Sequence, residues 1–230
     1  MSHPMIVDIW SDVMCPWCLV GWRSFAEGVR LAGSDVEVTI RWMPFELNPQ
    51  MPPEGKLQAE HLAKTYNRGE DEIAAMRAEL EGAAERVGFP ISWQGQNENG
   101  GEEPPAMMWN TFDCHKLLRW ALAAYGPAEQ TKLKETMFAA HFQQRRNMAD
   151  RDVLVAICEE AGLDGKAARK ALDDEALELA VRAEEERGVS GGISAVPTFV
   201  INHKYMLQGA QEPEGFASAL LKIASMEAAA

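Results

Sequence analysis

Two periods of hydrophobic patterning divide the chain. Met5-Ile6-Val7-Asp8-Ile9-Trp10 is a short, β-branched apolar run that ends at Ser11-Asp12 and predicts a buried strand. After Cys15-Pro16-Trp17-Cys18 the apolar residues Leu19, Trp22, Phe25 and Val29 fall at helical spacing, which predicts a helix to about Leu31 with Gly33 as its stop. Pro16 suits the first position of that helix, because its missing N–H would have no partner there. Residues 36–43 alternate with a period of two and predict a second strand. The opening is therefore strand, helix, strand, with two cysteines at the first strand-to-helix junction.

The pattern then changes. Pro44, Pro49, Pro52 and Pro53 make 44–55 a loop, and helical spacing dominates from there to about Arg187. Helices are expected over 57–67, 71–87, 106–125, 128–145 and 151–161, with two short ones inside 165–187. Asp150 is placed to cap the fifth of these, and 94–105 reads as a loop. Strand character returns at 196–201, Asn202-His203-Lys204 reads as a turn, and 205–208 is a partner strand ended by Gly209. Pro213 opens a last helix with Phe216, Leu220, Leu221 and Ile223 as its apolar face, and the tail at 228–230 is expected to fray. The order β-α-β, helices, β-β-α implies an α/β fold whose sheet is assembled from both chain ends. The expected core is 1–50 with 188–230, and 51–187 is an inserted, all-helical subdomain.

Charge narrows the partners. Against 22 basic side chains stand 35 acidic ones, a net charge of −13. Such a surface repels phosphate backbones, so neither nucleic acid nor an anionic membrane is an expected partner. No run approaches the length of a membrane span. The N-terminus does not read as a secretory signal, since its first Lys or Arg is Arg23 and Asp8 and Asp12 interrupt the apolar stretch. The expectation is a soluble, cytoplasmic protein, with a homodimer left open. In that compartment a disulfide is more often catalytic than structural.

Cys15 and Cys18 form the C-x-x-C pair. Such a pair is redox-active or half of a zinc site, and structural zinc needs a second pair of close ligands that this sequence lacks. No metal is therefore expected. Cys15 precedes Pro16 and so sits at the helix start, where unpaired amides and the helix dipole favour a thiolate. Cys18 lies one turn on, less exposed and able to resolve a mixed disulfide formed at Cys15. Pro16 and Trp17 complete the active-site loop, Trp17 at the surface. Asp12 has three readings, a residue that helps turn the chain, a charge that opposes ionisation of Cys15, or a loop carboxylate in water, and the last is the one favoured. Val196-Pro197-Thr198 opens the late strand; local sequence favours a trans Val196–Pro197 bond, whereas a cis bond would offer the preceding backbone to an extended sulfur-bearing ligand.

The remaining polar and sulfur positions read as structural. Cys158 falls on the core stripe Val153, Leu154, Ile157, Ala161, and Cys114 aligns with Met107, Leu118 and Ala121. His115 lies on an otherwise apolar face, either satisfied by backbone or set at a cleft where it could act on a thiolate or substrate. Asn110 is a helix-end residue or a substrate contact. Glu184-Glu185-Glu186 reads as a solvated helix face.

Four segments together resemble a known family. They are residues 11–18, Pro44-Phe45-Glu46-Leu47-Asn48-Pro49, Asn110-Thr111-Phe112-Asp113-Cys114-His115, and residues 196–202 with Gly209-Ala210-Gln211. They are similar to the DsbA-type branch of the thioredoxin fold, and within it to the FrnE-like proteins. The resemblance implies a thioredoxin-like core with a large helical insertion beside the active site and a cis Pro197 facing the cysteines. It implies substrate contacts at Val196, Asn48, Asn110, His115 and Gln211. The implied activity is dithiol–disulfide exchange on protein or low-molecular-weight thiols, with no bound cofactor and glutathione open as co-substrate. A sister branch of glutathione-dependent isomerases and transferases typically carries serine at the place of Cys15 and lacks the second cysteine. That branch supplies the enzyme alternative, an isomerase or transferase acting on an aromatic small molecule. A chaperone-like binding module is the third reading.

Overall fold

The computed structural model describes residues 2–66, 69–95 and 102–229. Asn67 of the helix expected over 57–67, residues 96–101 of the loop expected over 94–105, and Ala230 of the tail lie outside them. Strand β1 (His3–Ser11) leads into helix α1 (Pro16–Ala32), and β2 (Val36–Pro44) returns beside β1. The insert carries β3 (Lys56–Leu57), α2 (Gln58–Tyr66), α3 (Glu70–Arg86), β4 (Met107–Met108), α4 (Phe112–Tyr125), α5 (Pro127–Phe138), α6 (Arg151–Glu160), α7 (Gly165–Leu172) and α8 (Glu175–Ser190). The chain closes with β5 (Thr198–Ile201), β6 (Tyr205–Gln208) and α9 (Pro213–Ala228).

The main sheet runs β2-β1-β5-β6. β1 and β2 are parallel, from His3 opposite Val36 to Ser11 opposite Pro44. β5 pairs antiparallel on the other side of β1, Trp10 opposite Thr198, and β6 pairs antiparallel with β5. Both chain ends thus meet at β1, and Val7, Ile9, Ser11 and the turn after them are buried. Phe25 of α1 stacks on Phe199 of β5 with ring centroids 5.0 Å apart, and Phe216 of α9 meets Phe199 at 4.8 Å. All three rings are fully buried, each contributing roughly 1.5–3 kcal/mol. Gly28 lets α1 and α9 touch: a Cβ there would lie 2.7 Å from Phe216 Cβ and 2.8 Å from the Pro213 carbonyl oxygen.

The insert has its own core of Leu117, Leu118, Leu133, Met137, Leu154, Ile157 and Leu172, with Cys114 and Cys158 inside it as free thiols. Val13 and Met14, between Asp12 and Cys15, belong to that core. The turn before the cysteines is therefore held by the insert, not by the sheet alone.

Several expectations are corrected. The insert is not wholly helical, because Lys56 and Leu57 pair with Met108 and Met107 in a two-stranded ladder. That pairing keeps 106–111 out of the helix expected over 106–125, and α4 starts where Asn110 Oδ1 accepts the Phe112 N–H at 3.0 Å. The helix expected over 128–145 ends at Phe138 and continues as a π-helical turn, Ala139–Gln143. The second helix of the 165–187 region is long, because Asp174 caps it on the Ala176 and Leu177 N–H groups and it runs on to Ser190. Among the described residues no helix is long and apolar enough to cross a membrane.

Candidate active site

Cys15 occupies the N-cap of α1 with extended backbone, its N–H donating to the Asp12 carbonyl at 3.2 Å. The Cys18 N–H donates to the Cys15 carbonyl at 3.1 Å. Cys18 is sealed at 0% exposure, and Cys15 keeps 5%. Cys15 lines a cavity of about 840 Å³ together with Met14, Pro16, Trp17, Asn48 and Val196, and Cys18 does not reach it. Trp17 stands at its mouth, 39% exposed. From the far end of the chain, the Val196 carbonyl oxygen approaches the Cys15 sulfur to 3.9 Å. The Val196–Pro197 bond is cis. The turn is held by the Gly209 N–H on the Pro197 carbonyl at 2.8 Å and by Thr198 Oγ1 on the Ala195 carbonyl at 2.7 Å. Gly21 makes room for this packing, since a Cβ there would stand 2.9 Å from Pro197 Cγ.

The electrostatics reverse one expectation. The Cys15 thiol is pushed well up, by its hydrogen bond to Cys18, by burial, and by the charges of Cys18 and Asp12. The amide contributed by the helix start, the Cys18 N–H, works the other way but is outweighed. Burial presses the Cys18 thiol up as well, yet it ends below its ordinary value because Cys15, the Lys134 charge, the Ser11 hydroxyl and the Asp12 backbone favour its charged form. The readily ionised sulfur is therefore Cys18, with Cys15 donating to it. Asp12 is likewise not a solvated carboxylate. It is 1% exposed and accepts the Leu47 N–H at 2.8 Å and the Met14 N–H at 3.1 Å. Burial raises its pKa against those bonds.

Residues 6–221 match the DSBA-like thioredoxin domain. The chain belongs to that family. It is similar, at 28% identity and a TM-score of 0.83, to the probable DsbA oxidoreductase SCO1869 from Streptomyces coelicolor, covering 97% of this chain and 91% of that one. It is 27% identical to the uncharacterized protein YwbO of Bacillus subtilis (strain 168), over 93% of this chain and 94% of the relative. A 2-hydroxychromene-2-carboxylate isomerase shares the fold, with a TM-score of 0.67, 15% identity and coverage of 97% and 98%.

In this DSBA-like chain the sequence-predicted site residues do not all converge. Asn48 and Val196 line the cavity with Cys15, Pro16 and Trp17, whereas Asn110, His115 and Gln211 do not. Asn110 is spent on local structure, bonding the Phe112 N–H and the Met51 carbonyl. Gln211 lies just before α9, beside Gly215. His115 is buried behind the loop, its Nε2 4.0 Å from Asp12 Oδ1. Burial and the Lys134 charge hold its pKa well below the usual histidine range, so it is neutral and the contact is not an ion pair. The acidic run of α8 is not simply solvated either. Glu184 pairs with Arg119 at 2.8 Å, and Glu185 pairs with Arg182 at 3.0 Å. Burial and neighbouring Glu46 push Glu185 up to about 7. Among the described residues no group of three or more His, Cys, Asp or Glu side chains could hold a metal ion.

Sequence reasoning missed the buried polar groups around the pair and its turn: Ser11 and Lys134, which act on Cys18, and Thr111, which acts on Asp12. The signal was present in α5, where Gln130, Leu133, Lys134, Met137 and Phe138 are all buried at helical spacing. A glutamine and a lysine on that stripe must be doing something other than facing water. Gln130 bonds the Trp42 N–H and carbonyl, at 2.9 Å each, and so ties α5 to β2.

Proposed function

We propose that this protein is a dithiol–disulfide oxidoreductase in which Cys15 meets the substrate sulfur and Cys18 resolves the mixed disulfide. The observation that carries the reading is the asymmetry of the pair: Cys15 opens onto the cavity and Cys18 lies sealed behind it within hydrogen-bonding reach. As Cys15 attacks a substrate disulfide, its proton passes to the Cys18 sulfur and one substrate thiolate leaves. Cys18 then gives up that proton to solvent and attacks Cys15. The bond from Cys15 to the substrate breaks, and its electron pair departs with the second substrate sulfur. The pair loses two electrons and the substrate disulfide gains them. A C-x-x-C pair that reduces disulfides in this way fits a reducing compartment, with glutathione or a similar thiol restoring the dithiol.

Substitution tests the assignment. Cys15→Ser is expected to abolish exchange with a model disulfide, and Cys18→Ala to accumulate a mixed disulfide at Cys15 detectable by mass spectrometry. Undiminished exchange by Cys15→Ser would refute the reading. One feature favours a second one. The cavity wall formed by Leu57, Leu62, Ile73 and Leu80 is apolar enough for an aromatic small molecule. Glutathione-dependent isomerisation that survives replacement of both cysteines would establish that reading in place of the first.

A further inference from the structure

Lys134 is the least expected group in the interior. It lies on α5, fully buried, and its Nζ has no hydrogen-bond partner among the described residues. An unpaired ammonium in such a place is costly unless a charge or a polarisable face answers it. Two faces do: Nζ stands 4.9 Å from the Phe138 ring centre and 5.2 Å from the Trp42 ring centre. Those rings pack in the same core cluster as Cys15, Cys18 and Trp22. The lysine therefore reaches from the insert into the space under the active-site turn.

We propose that the Lys134 ammonium is the counter-charge of the Cys18 sulfur, so that the helical insert sets the thiol–disulfide equilibrium of a pair carried by the sheet core. This rests on the oxidoreductase reading above. Lys134 touches no substrate and acts as a positioning residue through the charge on Cys18. Among the described residues, the ionisable groups that interact with the Lys134 charge come from the turn and two helices. Asp12 comes from the turn, Cys15 and Cys18 from α1, and Cys114 and His115 from α4. His115 is neutral and Cys114 is held as a thiol by burial. The negative charges left to answer Lys134 are Asp12 and Cys18, and of the two Cys18 is the stronger influence on the lysine.

The consequence is directional. In the reduced protein the ammonium faces a thiolate at Cys18. Oxidation removes two electrons and the thiol proton from the pair, forms the Cys15–Cys18 bond and passes the electrons to a disulfide such as oxidised glutathione. The thiolate is then gone and the ammonium keeps only Asp12. Lys134 thus favours the reduced form over the oxidised one.

The test is Lys134→Met, which keeps volume and removes charge. In glutathione buffers of fixed ratio the variant is expected to hold at least tenfold more Cys15–Cys18 disulfide than the parent, a potential lower by about 30 mV for this two-electron couple. In a Cys15→Ser background, thiolate absorbance of Cys18 is expected to fall about tenfold near neutral pH when Lys134 becomes Met. An unchanged equilibrium and an unchanged titration in a folded, exchanging variant would overturn the role of Lys134 alone. A parent protein that forms no Cys15–Cys18 disulfide and exchanges nothing overturns the oxidoreductase reading, and this inference with it. Should Lys134→Met fail to fold, the Cys18 titration in Cys15→Ser with Lys134 intact still decides: a thiolate persisting below the ordinary cysteine range supports the proposal, and an ordinary or higher midpoint overturns it.

Discussion

The Cys15 sulfur lies 3.9 Å from the carbonyl oxygen of Val196, although 181 positions of chain separate the two residues. A carbonyl can only accept, so at rest it favours the thiol over the thiolate at position 15. The burial and the Asp12 charge act in the same direction. Cys15 is thus a protonated sulfur at the cavity wall, and in the proposed exchange it is activated by handing a proton to Cys18. The helix-start amides, which alone would have argued for an ionised Cys15, are one influence among several and not the largest.

Asp12 gives the first prediction. Its charge raises the Cys15 thiol, while its two oxygens bond the Leu47 and Met14 N–H groups. Asp12→Asn removes the charge and keeps one acceptor. Cys15 is then expected to ionise more readily and to be alkylated several-fold faster near neutral pH. The protein should also be less stable, because each bond to a charged acceptor is worth about 1.5–3 kcal/mol and one acceptor is lost. Alkylation rate against pH and thermal melting read the two effects separately. A slower or unchanged alkylation would contradict the electrostatic account.

The sequence made the outline of this site legible through local rules. Pro16 at a helix start, the period-two run of β2 and the turn at Asn202-His203 each have a local cause, and each element lies close to where its pattern puts it. What stayed hidden depends on contacts between distant segments. Asp12 reads as solvated until the insert closes over it, and Asn110 and His115 each keep a structural and a substrate-contact reading until Asn110 is seen to bond Met51 and Phe112 at the start of α4 and His115 to lie against the Asp12 turn. The two-residue ladder at Lys56 and Leu57 is too short to leave a period. Gly21 and Gly28 look like ordinary weak points of a helix, and only tertiary packing reveals that they admit Pro197 and Phe216.

Gly28 supplies a second prediction, because two opposed magnitudes decide its sign. Alanine would improve helix propensity by up to about 1 kcal/mol. Its Cβ, however, would meet Phe216 Cβ at 2.7 Å and the Pro213 carbonyl at 2.8 Å, atoms near the α9 backbone that cannot swing away. Overpacking of that kind costs about 1–3 kcal/mol. Gly28→Ala is therefore expected to lower the melting temperature by several degrees, at about 2–4 °C per kcal/mol for a chain of this length. A melting temperature at or above that of the parent would show that α1 and α9 separate freely.

The π-helical turn after α5 carries the last prediction. His141 is buried there, its ring 4.5 Å from that of Phe142, and neither ring nitrogen has a hydrogen-bond partner among the described residues. Burial, helped by the Arg145 charge, pushes its pKa down to about 3. The unfolded chain takes up a proton on this histidine below its ordinary value near 6.5, and the folded protein does not until the pH approaches 3. Folding is therefore favoured above the ordinary value, and that advantage drains away as the pH falls towards 3. At about 1.36 kcal/mol per pH unit, this one group should cost about 2 kcal/mol of stability between pH 7 and pH 5. His141→Leu removes both the titration and the unpaired nitrogens. Urea unfolding of the two proteins at both pH values isolates the effect, since all other titrating groups are shared. The variant's advantage over the parent should widen on acidification, and an advantage that is the same at pH 7 and pH 5 would mean that the buried imidazole takes up its proton as readily in the folded protein as in the unfolded chain.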